Sequence, residues 1–422
     1  MTRHPRLVRL THAVHALLFV GLVASGLSIF WASPFYRLPD WLYRYFSLGP
    51  YRLADGLRLH WLCAYLLMAN AVLYLGSLFG SGTWRALLPQ QGDTQAVPAM
   101  IRYYLRLGPP PPATGPYNAL QRWTYLVALL AGGLAVWSGW ALHKPNTLPW
   151  LAAPLGGYPG ARLWHFWTMV GLTAFTLVHV VLALPTARTM VVAPDASRRA
   201  FLGTLAAGLV ATLGVVLGRG RGTTAAVGLD DDVAAALFNP VRRVPTYDRT
   251  QVTSLRNNYL GRTPDPSYLA GWRLEVEGQR LALSDLARLP FVEQVTRLVC
   301  VEGWSAIAWW GGYRLADFLA AWPPPVEARW LQLVSDVNLD GDGQPDPYYV
   351  AIDLATARHP QTVLATHYQG EPLAVEHGAP LRLVVPTKLG LKHIKAITAI
   401  RYSAQEPGDY WKERGYSQYD GV

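Results

Sequence analysis

The chain has 422 residues, 51% of them apolar and only 15% charged, with 17 tryptophans and a net charge of +10. The length fits two or three domains. Acidic residues are nearly absent before Asp230 and common after it, which sets a membranous first half against a soluble second half. The positive charge is no signal for nucleic acid. The arginines cluster in short loops between apolar runs, as the positive-inside bias of membrane proteins predicts. Of the two cysteines, Cys63 lies in an apolar run and Cys300 in the soluble half, so no disulfide framework is expected.

Four apolar runs come first, at roughly 11–32, 57–79, 120–142 and 162–184. Each is long enough for a helix to cross a hydrocarbon core about 30 Å thick. Arg3, Arg6 and Arg9 place the start of the chain in the cytoplasm, and Arg85, Arg102 and Arg106 place the 80–119 loop there too. The first loop, with Arg37, Arg44 and Arg52, falls outside and runs against the bias. His12, His60, His165 and His179 lie at the ends of these runs, where ionisable groups are costly and usually functional. His165 and His179 are 14 residues apart, close to four full turns on one helix face and ~21 Å along the axis. The depths pair His60 with His165 near the outer surface and His12 with His179 near the inner one. Two stacked bis-histidine sites suit two b-type haems. His15, one turn beyond His12, is the alternative inner ligand.

"RLTHAVHALLFVGLVASG" (9–26), "GLRLHW" (56–61) and "WHFWTMVGLTAFTLVHVVLA" (164–183) resemble the di-haem cytochrome b subunits of formate dehydrogenase, hydrogenase and thiosulfate reductase. In that family an Arg-x-x-His start ends in Ser-Gly, here Arg9, His12, Ser25 and Gly26. The resemblance covers about 1–185 and implies a transmembrane four-helix di-haem bundle exchanging electrons with quinone. It departs at Ala13, where a Trp is usual.

A further apolar stretch at 200–218 follows Ser197-Arg198-Arg199-Ala200-Phe201-Leu202. That pattern reads as a twin-arginine signal, which exports already folded proteins. After four crossings the motif lies in the cytoplasm, where such a signal must be read. No small-x-small cleavage site precedes the linker, so the fifth span is expected to remain as an anchor. The domain plan is therefore a cytochrome b membrane domain (1–190), a signal-anchor helix (191–218), a Gly/Arg-rich and then polar linker (219–250) and a soluble oxidoreductase domain (251–422).

In the soluble half, alternating runs at 272–278, 296–303, 328–337, 348–355, 381–386 and 396–403 read as strands, with one helix at 313–322. The class is β-rich α+β. "RLVCVEGWSAIAWWGGYRLADFL" (297–319) resembles the molybdenum-ligand loop of the sulfite oxidase superfamily, in particular the catalytic subunit of periplasmic methionine-sulfoxide reductases. A thiolate at Cys300 suits a soft ligand role on a metal already held by a dithiolene. "LRNNYLGRTPDP" (255–266) and "EHGAPLRLVVPTKLGLKHIKAI" (376–397) resemble the segments that open and close the pterin site. Read on its own, the second also gathers Arg382, Lys388, Lys392, His393 and Lys395 as donors for a phosphate. The resemblance implies Cys300 as molybdenum ligand and catalytic residue. It implies Asn257, Ser335, His377, Arg382 and the His393-Ile394-Lys395 backbone as molybdopterin-binding. His377 matches the His-Gly-x-Pro-Leu-Arg of sulfite oxidases rather than the Asn of the reductase branch, so branch markers are mixed.

Asp336, Asn338, Asp340 and Asp342 alternate around Gly341 as in a Ca2+ loop. The twelfth position is Pro347 instead of Glu, and a plain acidic turn is the competing reading. The resulting expectation is a bacterial inner-membrane enzyme with its C-terminal domain in the periplasm, surrounded by membrane lipid. It would pass electrons from quinol through two haems b to a molybdenum centre, reducing an S-oxide or N-oxide. The alternatives are a sulfite-type dehydrogenase feeding quinone and a non-catalytic haem sensor or assembly protein.

Overall fold

The computed structural model describes residues 6–36, 53–111, 117–183, 243–257, 264–336, 347–419 and 421. The expected fifth span with its Arg198-Arg199 pair, most of the linker, and Asn338, Asp340 and Asp342 lie outside the described residues.

Among the described residues, four helices are long and apolar enough to cross a membrane: α1 (Arg6–Ala32), α2 (Leu53–Gly80), α4 (Ala119–His143) and α5 (Gly157–Ala183). They run 25 to 28 residues, roughly 40 Å at 1.5 Å per residue. Val72, Leu73, Val127, Leu130, Leu177 and Val181 are exposed, whereas Thr11, Ser25, Asn70, Arg122, Ser138 and Thr168 are buried. Apolar outside and polar inside is the pattern expected where lipid is the solvent. Asn70 on α2 donates to the Thr11 carbonyl of α1 at 2.9 Å, a polar tie between spans.

Between α2 and α4 lies a shorter helix, α3 (Asp93–Tyr104). Its Asp93 takes both arms of the Arg122 guanidinium, Nε at 2.6 Å and Nη2 at 2.7 Å. Arg122 Nη1 also donates to the Tyr117 carbonyl. The forked hydrogen bond to Arg122 holds the Asp93 carboxyl down at about 2, so this pair stays ionised in neutral solution.

The chain forms two compact units. The first comprises Met1–Leu27, Gly56–Trp140 and Gly160–Gly220; the second comprises Ser28–Asp55, Ala141–Pro159 and Arg221–Val422. The second unit is β-rich. One sheet runs β2-β1-β10-β5-β6, built from Gln279–Leu281, Leu274–Val276, Ala399–Ser403, Trp330–Ser335 and Tyr348–Asp353. The other runs β3-β4-β7-β8, built from Phe291–Val299, Ser305–Arg314, Val363–Tyr368 and Glu371–Pro372, with β9 (Arg382–Val384) also on β7. Apart from the parallel β1–β10 pair, neighbours are antiparallel.

The first sheet buries Leu274, Leu331, Leu333, Val350 and Ile400 against Leu315, Phe318 and Leu319 of α6 (Leu315–Ala321). A second core gathers Ala306, Ala308 and Trp310, alternate residues of β4, with Cys300, Ala365 and Val384. The expected helix at 313–322 is therefore present, two residues shorter at the start. The expected strands are present too, but β2, β4, β7 and β8 are additional. Ala141–Pro159 belongs to this unit by its contacts. Tyr158 packs with Val299, Lys144 Nζ donates to the Gly421 carbonyl at 2.7 Å, and Asn146 Nδ2 donates to the Pro386 and Arg297 carbonyls.

Candidate active site and paired histidines

Cys300 stands at the tip of the β3–β4 hairpin, just beyond the Val299–Ser305 pair. Its N–H donates to the Trp304 carbonyl at 2.8 Å and its carbonyl accepts from Gly303 N–H at 3.0 Å. Gly303 closes this turn at φ 83°, a left-handed geometry that favours glycine. The thiol is buried. Burial pushes it up to about 12, with Glu302 adding to the rise and Arg256 opposing it. The Glu302 carboxylate is held by Trp304 Nε1 at 2.9 Å. A group with that preference carries a proton at neutral pH unless a metal ion replaces it.

The segment after β9 runs back past this cysteine. A Cβ on Gly390 would lie 3.1 Å from Leu298 Cδ2, 3.3 Å from the Val299 carbonyl and 3.7 Å from Cys300 Cα. Arg382, almost wholly buried, donates to the His377 carbonyl at 2.8 Å and lies over the Trp310 ring at 4.6 Å. Trp310 and Cys300 share one core. Tyr368 lies tilted 4.5 Å from the His377 ring and 5.2 Å from Trp310. Lys395 Nζ donates to the Glu376 carbonyl and reaches Asn257 Oδ1 at 3.4 Å. Burial, and then Arg382, lower the Lys395 ammonium to about 7. The same two causes push His393 down to about 3 and lower His377. Gly378 must lack a side chain, because a Cβ would meet Lys395 Cβ at 2.7 Å.

Cys300, His377, Arg382, His393, Lys395 and Asn257 are thus brought together around one cradle. Ser335 stands at the end of β5, beside Val334 and Asp336, both of which are bonded to Thr398. The Ile394 side chain is part of the core, and its carbonyl accepts from Leu383 N–H. Lys392 does not join the phosphate donors: it is fully buried against Asp409 at 2.6 Å, so its charge is neutralised. Lys388 lies over the Tyr419 ring at 3.6 Å. Arg256, Trp310 and Tyr368 are the residues here that sequence pattern does not single out. Only their place beside "NNYLG" and in a dense aromatic run hints at them.

Among the described residues, three of the expected cofactor contacts are buried polar atoms with no hydrogen-bond partner: Ser335 Oγ, His377 Nδ1 and His393 Nδ1. Buried polar atoms are almost always satisfied, so orphans around one cradle fit a polar guest such as molybdopterin.

In the first unit, the His12 and His179 rings lie 6.1 Å apart, and so do the His60 and His165 rings. Two imidazoles on opposite sides of one metal ion, at about 2 Å per bond, put their ring centres roughly 6 Å apart. Both pairs therefore fit a bis-histidine iron. Among the described residues, no ring contact joins His15 to another histidine.

The chain joins a membrane cytochrome b to a molybdopterin-dependent oxidoreductase domain. Residues 3–190 match the prokaryotic cytochrome b561 family, and residues 261–411 match the oxidoreductase molybdopterin binding domain. The chain is 38% identical over 196 residues, 44% of its length and 70% of the relative's, to the Azospira oryzae protein named "Putative protein-methionine-sulfoxide reductase subunit YedZ1". The chain belongs to this YedZ1 family and carries a molybdopterin-binding domain in the same polypeptide. Two catalytic subunits named MsrP, protein-methionine-sulfoxide reductases, are also similar. That of Campylobacter jejuni is 29% identical over 41% of this chain and 60% of its own length. That of Xanthomonas campestris is 35% identical over 40% of this chain and 58% of its own. The chain thus spans about three fifths of these MsrP relatives. The sulfane dehydrogenase SoxCD of Paracoccus pantotrophus shares 21% identity over 32% of this chain and 39% of its own, at a TM-score of 0.28, too low to bear on the fold.

Proposed function

We propose that this protein takes electrons from quinol, passes them through two haems b and uses them at a molybdenum centre to reduce an S-oxide, with methionine sulfoxide as the substrate class. His12 and His179 would hold one haem, His60 and His165 the other. Haem iron held by two histidines carries one electron at a time, which is how a two-electron donor is coupled to a two-electron acceptor. The domain plan is that of the sequence, with the oxidoreductase domain exported by the Arg198-Arg199 signal to the periplasmic side of a bacterial inner membrane.

The observation that carries the reading is the cradle that joins Cys300 to Arg382, His377, His393 and Lys395. Cys300 would give the metal its protein sulfur. Arg382, braced by Trp310, and Lys395 would meet the pterin phosphate. Asn257, Ser335 and the orphan Nδ1 atoms of His377 and His393 would meet the remaining polar groups. The bound molybdenum supplies two-electron oxygen-atom transfer. The overall change is balanced as S-oxide plus two electrons and two protons, giving a thioether and water. Burial and Arg382 disfavour the charged form of His377, so a proton taken up at Nδ1 would be readily passed on.

The protein, purified and reduced by a quinol analogue, tests this optically. Added methionine sulfoxide is expected to reoxidise the haems with release of methionine. Haem reduction by sulfite with no response to methionine sulfoxide would reverse the direction and select the dehydrogenase reading. Haem without molybdenum would select the non-catalytic one.

A further inference from the structure

The His60–His165 pair is served by one device used twice. On α1, Ser25 Oγ lies 3.0 Å from His60 Nδ1. On α4, Ser138 Oγ lies 3.0 Å from His165 Nδ1. Each serine already commits its single hydroxyl proton to its own helix. Ser25 donates to the Gly21 carbonyl at 2.7 Å, with Leu22 at 3.2 Å. Ser138 donates to the Leu134 carbonyl at 2.7 Å, with Ala135 at 3.2 Å. Toward the imidazole, each oxygen can therefore only accept. His165 Nδ1 also lies 3.1 Å from the Ala135 carbonyl, an atom that can never donate, so its proton is on Nδ1 by a second argument.

A glycine follows each serine. A Cβ on Gly26 would lie 3.4 Å from His60 Cε1, and one on Gly139 would lie 3.4 Å from His165 Cε1. Each ring thus lies over the glycine of the neighbouring helix, in ordinary van der Waals reach of where a Cβ would stand, and within reach of the serine one residue before. The two motifs lie 113 residues apart in the chain (138 less 25) and set a serine Oγ 3.0 Å from each histidine Nδ1.

We infer that Ser25 and Ser138 are positioning residues for the His60–His165 haem: each accepts the Nδ1 proton of its histidine, leaves Nε2 as the atom that binds iron, and thereby sets the potential of that haem. An acceptor on the far ring nitrogen fixes the tautomer and raises the basicity of the ligand. A more basic ligand favours ferric iron, so the two serines hold the potential of this haem down. The inference rests on the reading that His60 and His165 are haem ligands.

The test is a spectroelectrochemical titration of the full chain, with haem content measured in parallel. Ser25→Ala and Ser138→Ala are expected to retain two haems and raise the midpoint potential of one of them, with a larger rise in the double variant. The haem that moves should be the one lost in His60→Ala. Ser25→Thr and Ser138→Thr, which keep the hydroxyl, are expected to restore the wild-type potential. If Ser25→Ala sheds the haem but Ser25→Thr keeps it, the inference also stands. It is overturned if the potential stays at the wild-type value or falls in the double variant, or if the Ala and Thr variants lose the haem alike. Retention of both haems in His60→Ala would instead bring down the ligand assignment itself.

Discussion

His393 shows how far the cradle bends the chemistry of a single residue. It is buried, donates through Nε2–H to the Val385 carbonyl 2.8 Å away, and sits near Arg382. Burial, helped by Arg382, lowers its folded value to about 3, against about 6.5 in an unfolded chain. The unfolded state thus binds the proton more readily. Stability from this residue is fully present above about pH 6.5 and is lost as pH falls toward 3. His393→Gln, which never titrates, is expected to flatten that part of the acid limb in denaturation of cofactor-free protein; an unchanged limb would show that His393 is not buried neutral. The histidines were the most legible residues in the sequence, since depth along apolar runs is a simple function of position. The structure brings His12, not His15, to His179, a choice that one helical turn of spacing left open. Ser138-Gly139 was not legible beside Ser25-Gly26, because its role depends on where His165 meets the opposite helix.

At the scale of elements, β4 and β7 decide where the cradle's aromatic wall stands. Their pairing runs Trp310 to Tyr368 and Gly311 to His367, then slips so that Gly312 faces Ala365. Thr366 is the extra residue of this bulge, which bends the strand and re-aims its side chains. Tyr368 is thereby set beside Trp310 and His377. Gly312 permits the close approach: a Cβ there would lie 2.2 Å from the Leu364 carbonyl oxygen. Backbone cannot yield as a flexible side chain does, so Gly312→Ala is expected to destabilise the domain by about 1–3 kcal/mol. Chemical denaturation would measure it, and a change below 0.5 kcal/mol, roughly the range of neutral surface substitutions, would contradict this packing. Neither strand stands out in the sequence. The Gly-Gly pair interrupts the alternation of β4, and polar Thr366 and His367 blur β7, whereas β5 and β6 alternate plainly and were expected. The Asp93–Arg122 fork was likewise hidden, since its partners lie 29 residues apart on two helices whose meeting no local pattern announces.

For the whole molecule, hydropathy separated a membrane half from a soluble half, and the two family matches follow that division. It could not show that Ala141–Pro159, a link between two apolar helices, shares a compact unit with the β-rich domain. Lys144 and Asn146 are polar in sequence and read as loop, yet both are buried and bonded to carbonyls of residues 297, 386 and 421. In the proposed scheme, electrons held by the haems leave through the metal bound at Cys300. Stopped-flow absorption of quinol-reduced Cys300→Ser protein, mixed with methionine sulfoxide, tests it most directly. Both haems are expected to reduce normally and then remain reduced, while wild-type haems reoxidise. Reoxidation of the variant's haems at the wild-type rate would contradict the account.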